Sequence, residues 1–325
     1  MDRQGALAGL RSALGAFART HVAGADRWCV GLSGGADSLA LTAVAAGLRP
    51  TTALIVDHRL QAGSAAVAAT AREQALALGC VEAHVLGVDV GTGGGPEAAA
   101  RAARYRALAD ARGDAPVLLA HTLDDQAETV LLGLGRGSGA RSIAGMRAHD
   151  PPWCRPLLGV RRAVTRRACE ELGVTPWQDP HNRDPRFTRV RLRSEVLPLL
   201  EDVLGGGVAE ALARTAAALR EDNDALDAAA AGILAAAPGG SGEGGAGPDV
   251  AALVALPDAV RRRVLRGWLL AGGATGLTDT QIRAVDALVT HWRGQGGVAV
   301  PGGRERERLF AGRRDGRLTL YREPV

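Results

Sequence analysis

Short apolar runs alternate with stretches of helical period along the first two hundred residues. The runs predict strands at Cys29–Leu32, Thr52–Val56, Ala83–Val88 and Val117–Ala120, with helices at about Ser38–Ala46, Ser64–Leu78 and Pro96–Ala111 between them. Leu7, Leu10, Leu14 and Phe17 mark an amphipathic helix ahead of the first strand. Strands alternating with helices predict an α/β fold, a doubly wound and mostly parallel sheet. Such sheets bind ligands beyond the carboxyl ends of their strands. Ser33–Ser38, Asp57-His58 and His121–Glu128 all fall there. Further on, an Ala-rich helical pattern runs from about Gly207 to Ala237 and carries Leu212, Leu219, Leu226 and Ile233 at intervals of seven. A Gly/Pro-rich linker over 238–248 follows, then helices near Asp258–Leu270 and Asp279–Trp292. Short β-like pieces close the chain at Val298–Val300, Arg308–Phe310 and Leu318–Tyr321. The pattern divides the chain into a larger domain over residues 1–205 and a smaller, mainly helical one over 206–325.

The chemistry starts where the first strand breaks. Val30-Gly-Leu-Ser33-Gly34-Gly35-Ala36-Asp37-Ser38 passes from strand through a glycine turn into a helix. Consecutive backbone N–H groups in such a turn form a nest, and the helix N-terminus adds partial positive charge, so the segment is an anion site. Ser33 and Ser38 can donate hydroxyl hydrogen bonds to phosphate, and Asp37 can hold Mg²⁺. The Gly-Lys-Ser/Thr of the lysine-bearing phosphate loop is absent, because all 39 basic residues are arginine. A second cluster, His121-Thr-Leu-Asp-Asp125-Gln-Ala-Glu128-Thr129, follows the fourth strand and opens a helix. Asp125 and Glu128 share one face of it.

Composition narrows the setting. A hydrophobic fraction of 46% supports a core, although aromatics supply only 3%. Cys29, Cys80, Cys154 and Cys169 form no close pair, which argues against disulfides and structural metal. No stretch is long and apolar enough to span a membrane, so the expected location is cytoplasmic. Residues 136–193 hold 13 arginines against five acids, a local charge of +8, the footprint of a phosphate-rich partner. Arg161, Arg162, Arg166 and Arg167 are expected on a helix, as surface charge or RNA phosphate contacts.

The Ser33–Ser38 segment resembles the PP-loop ATP pyrophosphatases, which cleave ATP between the α- and β-phosphates. Together with His121–Glu128, it makes the chain resemble the tRNA(Ile)-lysidine synthetases. Further segments match that family in order: Val56-Asp57-His58-Arg59-Leu60, with Arg59 where Gly is usual, and Glu97 through Arg101, Arg104 and Tyr105. Arg136–Met146, Arg155-Pro-Leu-Leu158 and Asp179-Pro-His181-Asn182 through Arg189, Arg193 and Leu200 also match, with Val190 and His181 departing from the usual residues. Read without the family, Arg155–Leu158 suggests an edge strand, and Arg101 and Arg104 solvated charge on an Ala-rich helix. The resemblance covers roughly residues 25–202 and implies ATP, Mg²⁺, free L-lysine and the CAU-anticodon tRNA(Ile) as reactants and partners. It implies that Ser33, Gly34, Gly35, Ala36, Asp37 and Ser38 bind the ATP phosphates, with Asp37 on the metal. Arg101 and His121 act near the α-phosphate, Asp125 and Glu128 recognise the lysine ammonium, and Arg189 and Arg193 contact substrate. Two other readings are a PP-loop tRNA thiolation enzyme, which usually needs paired cysteines, and a non-catalytic nucleotide-binding RNA adaptor. The seven-spaced leucines serve a homodimer as readily as an internal core.

Overall fold

The computed structural model describes residues 5–59, 63–91, 95–137, 139–236, 247–303 and 306–324. Most of the Gly/Pro-rich linker, and Leu60 in the Asp57-His58 segment, lie outside the described residues. The chain forms two compact units. One comprises residues up to Gly135 with Gly145–Ala216, and the other Arg136–Ala144 with the residues from Ala217 onward.

In the first unit, α1 (Ala6–His21) precedes β1 (Trp28–Gly31), α2 (Ala36–Ala46), β2 (Thr51–Asp57), α3 (Ser64–Ala77), β3 (Glu82–Gly87), α4 (Pro96–Ala111) and β4 (Val117–Leu118). After α5 (Leu123–Gly135) and α6 (Ala140–Ile143, in the second unit) come β5 (His149–Asp150), β6 (Trp153–Cys154) and α7 (Arg162–Glu171). The sheet has the order β3-β2-β1-β4-β6-β5, parallel except for the final pair. Successive strands therefore leave β1 in opposite directions, which opens a crevice at the carboxyl ends of β1 and β4.

Strand periodicity explains why both faces of the sheet are covered. Trp28, Val30, Ala53, Ile55 and Leu118 enter one core with residues of α1, α2, α3 and α7. Their neighbours Cys29, Leu54, Val117 and Leu119 enter another with Leu108 of α4. Alternate residues pointing to opposite faces is the pleat's geometry, and apolar residues at both parities leave neither face exposed.

Arg155–Leu158 is a turn and not the expected edge strand, whose place is taken by β6 and β5. Pro156 has no N–H to offer a ladder, so the chain bends after Arg155 while Leu157 is fully buried. Beyond the 3₁₀ turn Pro180–Arg183, helix α8 (Thr188–Arg191) runs through a π-helical stretch, Leu192–Val196, into α9 (Leu197–Val203). Pro198 lacks the N–H that would continue α-helical bonding, which accounts for the wider turn ahead of it.

Helix α10 (Val208–Ala236) begins in the first unit and continues in the second. The expected domain boundary near 205 falls in the loop before it. Leu212 of α10 packs beside Leu197 and Ala209, and Ile233 joins the core of the second unit. That core also takes in α11 (Val250–Val254), α12 (Asp258–Ala271), α13 (Asp279–Thr290) and the antiparallel sheet β7 (Val298–Val300), β8 (Glu307–Arg314) and β9 (Arg317–Pro324). Thr278 and Gln281 form a reciprocal capping box at the start of α13. Inside the unit Arg261 donates to Asp286 at 2.6 Å, and both are buried.

Candidate active site

The glycine turn sits at the end of β1, as the sequence predicts. Gly34 has φ +79°, a left-handed conformation that glycine adopts without steric cost. Its carbonyl accepts from the Trp177 N–H at 2.9 Å, which ties the turn to the segment after α7. Ser38 is buried and holds the loop together: its hydroxyl donates to the Gly35 carbonyl at 2.9 Å and accepts from the Ser33 N–H at 3.2 Å. Ser33 is exposed, with its hydroxyl 3.1 Å from that of Ser38.

Asp37 opens α2. Its Oδ1 accepts from the Thr165 hydroxyl, and its Oδ2 lies 3.5 Å from Nε of Arg162. Burial pushes this carboxyl above its ordinary value, against the stabilising effect of Thr165 and Arg162. Mg²⁺ usually binds through one or two carboxylates together with phosphate oxygens. One carboxylate beside an anion nest fits that donor set, and Asp37 is the residue that would supply it.

Asp125 and Glu128 lie on α5 and face the same place, but neither carboxylate is bare. Arg162 donates to Asp125 at 2.6 Å and to Glu128 at 3.3 Å. Arg193, aimed from the π-helical stretch, donates to Glu128 at 2.8 Å. Thr122 gives Asp125 both its N–H and its hydroxyl at 2.8 Å. Burial raises Asp125, but the Arg162 charge and the Thr122 bonds outweigh it and hold the carboxyl below its usual range. Glu128 is fully buried. Three carboxylates (Asp37, Asp125 and Glu128) thus converge on two guanidinium groups. Arg162 is itself buried, and its backbone N–H donates to Asp124 at 2.7 Å.

A cavity of about 490 Å³ adjoins the turn, lined by Ser33, Asp57, His58, Arg104, Trp177 and His181 among others. Asp57 is buried at the end of β2 and accepts from the Arg59 N–H at 2.9 Å. Arg59 stands at φ +54°, a conformation that accounts for glycine at this place in the resembled family. His121 lies at the end of β4, where burial drives its imidazole down to about 3. It is therefore neutral at working pH.

Not every expected residue enters this cleft. Arg101 is exposed at the rim, with its guanidinium 4.9 Å from the Tyr105 ring and an Nη donating to the Tyr105 hydroxyl at 3.2 Å. Arg104 lines the cavity in its place. Arg189 makes no ion pair among the described residues. His181 meets the edge of the Phe187 ring and lies 3.3 Å from Asp179. The basic stretch is partly internal: Arg155 and Arg162 are buried, Arg161 pairs with Glu210, Arg186 with Asp184 and Arg191 with Glu195. Sequence reasoning missed Thr165, Trp177 and the central position of Arg162. All four cysteines are free and buried, and no group of three or more His, Cys, Asp or Glu side chains among the described residues could hold a metal ion. No described helix is long and apolar enough to cross a membrane.

Comparison with known proteins agrees with this arrangement. A PP-loop domain model matches residues 10–200, and a TilS substrate binding domain model matches residues 249–319. The tRNA(Ile)-lysidine synthase of Mycobacterium tuberculosis is 73% identical over 327 residues, covering 100% of both chains. That of Mycobacterium leprae is 68% identical, again over 100% of both. The Rhodococcus erythropolis enzyme is 66% identical over 90% of this chain and 89% of its own. Among solved structures, the U34-tRNA thiolase NcsA from Methanococcus maripaludis superimposes with a TM-score of 0.52. It is 18% identical and covers 66% of this chain and 80% of that one, a likeness of fold alone. With both domain models present in order and relatives matching from end to end, the chain belongs to the tRNA(Ile)-lysidine synthase family.

Proposed function

We propose that this protein uses ATP to join free L-lysine to C2 of the wobble cytidine of the CAU-anticodon tRNA(Ile). In the first step cytidine O2 attacks the α-phosphorus of ATP. The bond to the bridging oxygen breaks, and pyrophosphate leaves with the electron pair. In the second the lysine ε-amine attacks C2, the C2–O2 bond breaks, AMP departs, and the amine gives up its proton. Oxygen attached to C2 is a poor leaving group until it carries a phosphoryl group, which is why ATP is consumed.

The observation that carries this reading is the adjacency of two oppositely biased sites in one cleft. The glycine turn and His121 suit an anion, and the carboxylates around Asp37, Asp125 and Glu128 suit a cation. Gly34, Gly35 and Ala36 would offer backbone N–H groups to the ATP phosphates, with the Ser33 hydroxyl beside them and Ser38 holding the loop. Mg²⁺ on Asp37 would neutralise charge gathering on pyrophosphate. Neutral His121 would donate a hydrogen bond near the α-phosphate, with Arg101 at the rim supporting it electrostatically. The lysine ammonium would approach Asp125 and Glu128, where Arg162 and Arg193 hold the carboxylates in place. Arg189, with no ion-pair partner among the described residues, would contact the RNA. The larger domain over 1–205 would carry the chemistry, and residues 206–325 would contact the tRNA. The thiolation reading lacks a cysteine pair.

The deciding experiment incubates the protein with ATP, Mg²⁺, radiolabelled lysine and unmodified CAU-anticodon tRNA(Ile), beside a wobble C→U variant. Label on the first RNA alone, dependent on ATP, is the expected result. Pyrophosphate release without label on either would replace lysine with another nucleophile.

A further inference from the structure

The antiparallel sheet of the second unit packs one face on its core. Leu309, Ala311, Leu318 and Leu320 are buried there, so the pleat turns Phe310, Gly312, Thr319 and Tyr321 the other way. On that second face Tyr321 meets Phe310 across the strands, with ring planes 15° apart and centroids 5.6 Å apart. Its ring also crosses two glycines. A methyl group on Gly312 would lie 2.9 Å from its Cε1, and one on Gly297 would collide with its hydroxyl oxygen. Glycine at both places lets the phenol settle against the backbone, yet Tyr321 stays 37% exposed. A cavity of about 440 Å³ opens beside it, bordered also by Trp292, which is 36% exposed, and by Arg313, Arg314 and Glu323. The guanidinium of Arg313 stands 5.5 Å from the Trp292 ring centroid and donates to the Leu288 carbonyl at 3.1 Å. Residues 292–325 hold eight arginines against four acids, a local charge of +4. Exposed aromatic residues scattered singly need no explanation. Two partly open ring systems bordering one cavity among arginines do, and they match surfaces on which unpaired bases stack while cations follow the phosphates.

We propose that Tyr321 and Trp292 form a stacking platform for unpaired bases of the RNA substrate, with Arg314 beside their phosphates and Glu323 accepting from an exocyclic amino group. That the strand belongs to the tRNA rests on the proposed function; the stacking of unpaired bases does not.

Fluorescence anisotropy of two end-labelled strands tests this on the full chain: octa-adenylate, and an abasic strand with the same number of phosphates. Wild type should bind octa-adenylate about tenfold or more tightly than the abasic strand, the scale of one stacked base. Tyr321→Ala should lose about that factor for octa-adenylate alone. Tyr321→Phe, which keeps the ring, should bind both strands as wild type does. An octa-adenylate affinity indifferent to Tyr321, or an equal loss for the abasic strand, overturns the platform. Should Tyr321→Ala fail to fold, wild type decides, since an abasic strand bound as tightly as octa-adenylate refutes the proposal. Neither strand needs ATP or lysine in order to bind, so a failure of lysine transfer counts against the proposed function and leaves this test intact.

Discussion

Replacing Arg162 by methionine tests the electrostatic logic of the cleft most directly. Methionine fills similar length without charge, so packing is largely kept while the cation between Asp37, Asp125 and Glu128 is lost. The side chain of Arg162 is only 11% exposed and that of Asp125 15%, so solvent screens little of the change. Removing one partner of a buried ion pair costs about 3–5 kcal/mol, because the other charge is left uncompensated. Glu128 keeps Arg193 at 2.8 Å, which places the expected loss near the lower end. At about 2–4 °C per kcal/mol for a unit of this size, a loss of about 3 kcal/mol lowers the melting temperature by roughly 6–12 °C at pH 7. The sign of the pH dependence is a sharper check. In wild type the Asp125 carboxyl is depressed, so its stabilising contribution is complete above its unfolded value of about 4 and is lost only as pH falls through the lower folded value. Nothing is lost from it between pH 7 and 5.5. Without the guanidinium, burial raises Asp37 and Asp125 together. A carboxyl raised in the folded state destabilises increasingly as pH climbs from its unfolded to its folded value. Acidification from pH 7 to 5.5 should therefore narrow the gap between variant and wild type, as read by thermal unfolding at both pH values. A variant that melts with wild type, or one whose deficit is the same at both pH values, refutes the reasoning.

Three further outcomes follow from the same geometry. Thr165→Val removes the hydroxyl that donates to Asp37, and should cost about 1.5–3 kcal/mol in urea unfolding at an unchanged m-value. His121, held down to about 3 by burial, should show no imidazole titration in NMR spectra between pH 5 and 8; a midpoint near 6.5 would contradict the buried placement. Asp125→Asn should raise the lysine KM about tenfold or more while ATP-dependent pyrophosphate release persists, with an unchanged KM counting against its role toward the ammonium.

How much of this was legible beforehand depends on the range over which each feature is determined. The strands of the large sheet were readable because alternation and burial are local, and the glycine turn because its conformational demand sits in six consecutive residues. The hairpin of β8 and β9 was underread. Its Asp315-Gly316 turn, with both φ values positive, continues the pairing from Glu307 to Pro324 well beyond the two short pieces expected. Arg155-Pro-Leu-Leu158 misled because an apolar pair beside an edge looks extended, whereas Pro156 turns the chain. The basic stretch over 136–193 overstated the exposed charge, since a count of arginines cannot register acids brought in from elsewhere. Arg162 shows this most clearly: its partners Asp37 and Asp125 lie 125 and 37 positions away, and no local pattern marks them. The swap of Arg104 for Arg101 in the cavity turns on helix phase. Three residues advance the helix by most of a turn, and only the packing of α4 on the sheet decides which arginine faces inward.

The absence of lysine from the chain bears on why the cleft is built as it is. Every internal cation must be a guanidinium, which is charged at any working pH and presents several donors in a rigid plane. One such group can serve carboxylates on two elements at once, as Arg162 does with Asp37 on α2 and with Asp125 and Glu128 on α5. An ammonium of the same charge is a compact point with three donors on a flexible stem, and it could not span those positions. The fixed cations therefore orient the carboxylates, Arg162 facing Asp125 and Glu128 and Arg193 facing Glu128, in a buried place where charges interact strongly. A mobile ammonium entering the cleft would find acceptors that are already aligned, with the Asp125 carboxyl held below its usual range. On the proposed function this is the condition for recognising a lysine side chain, and it is met by residues chemically unlike the substrate they would select.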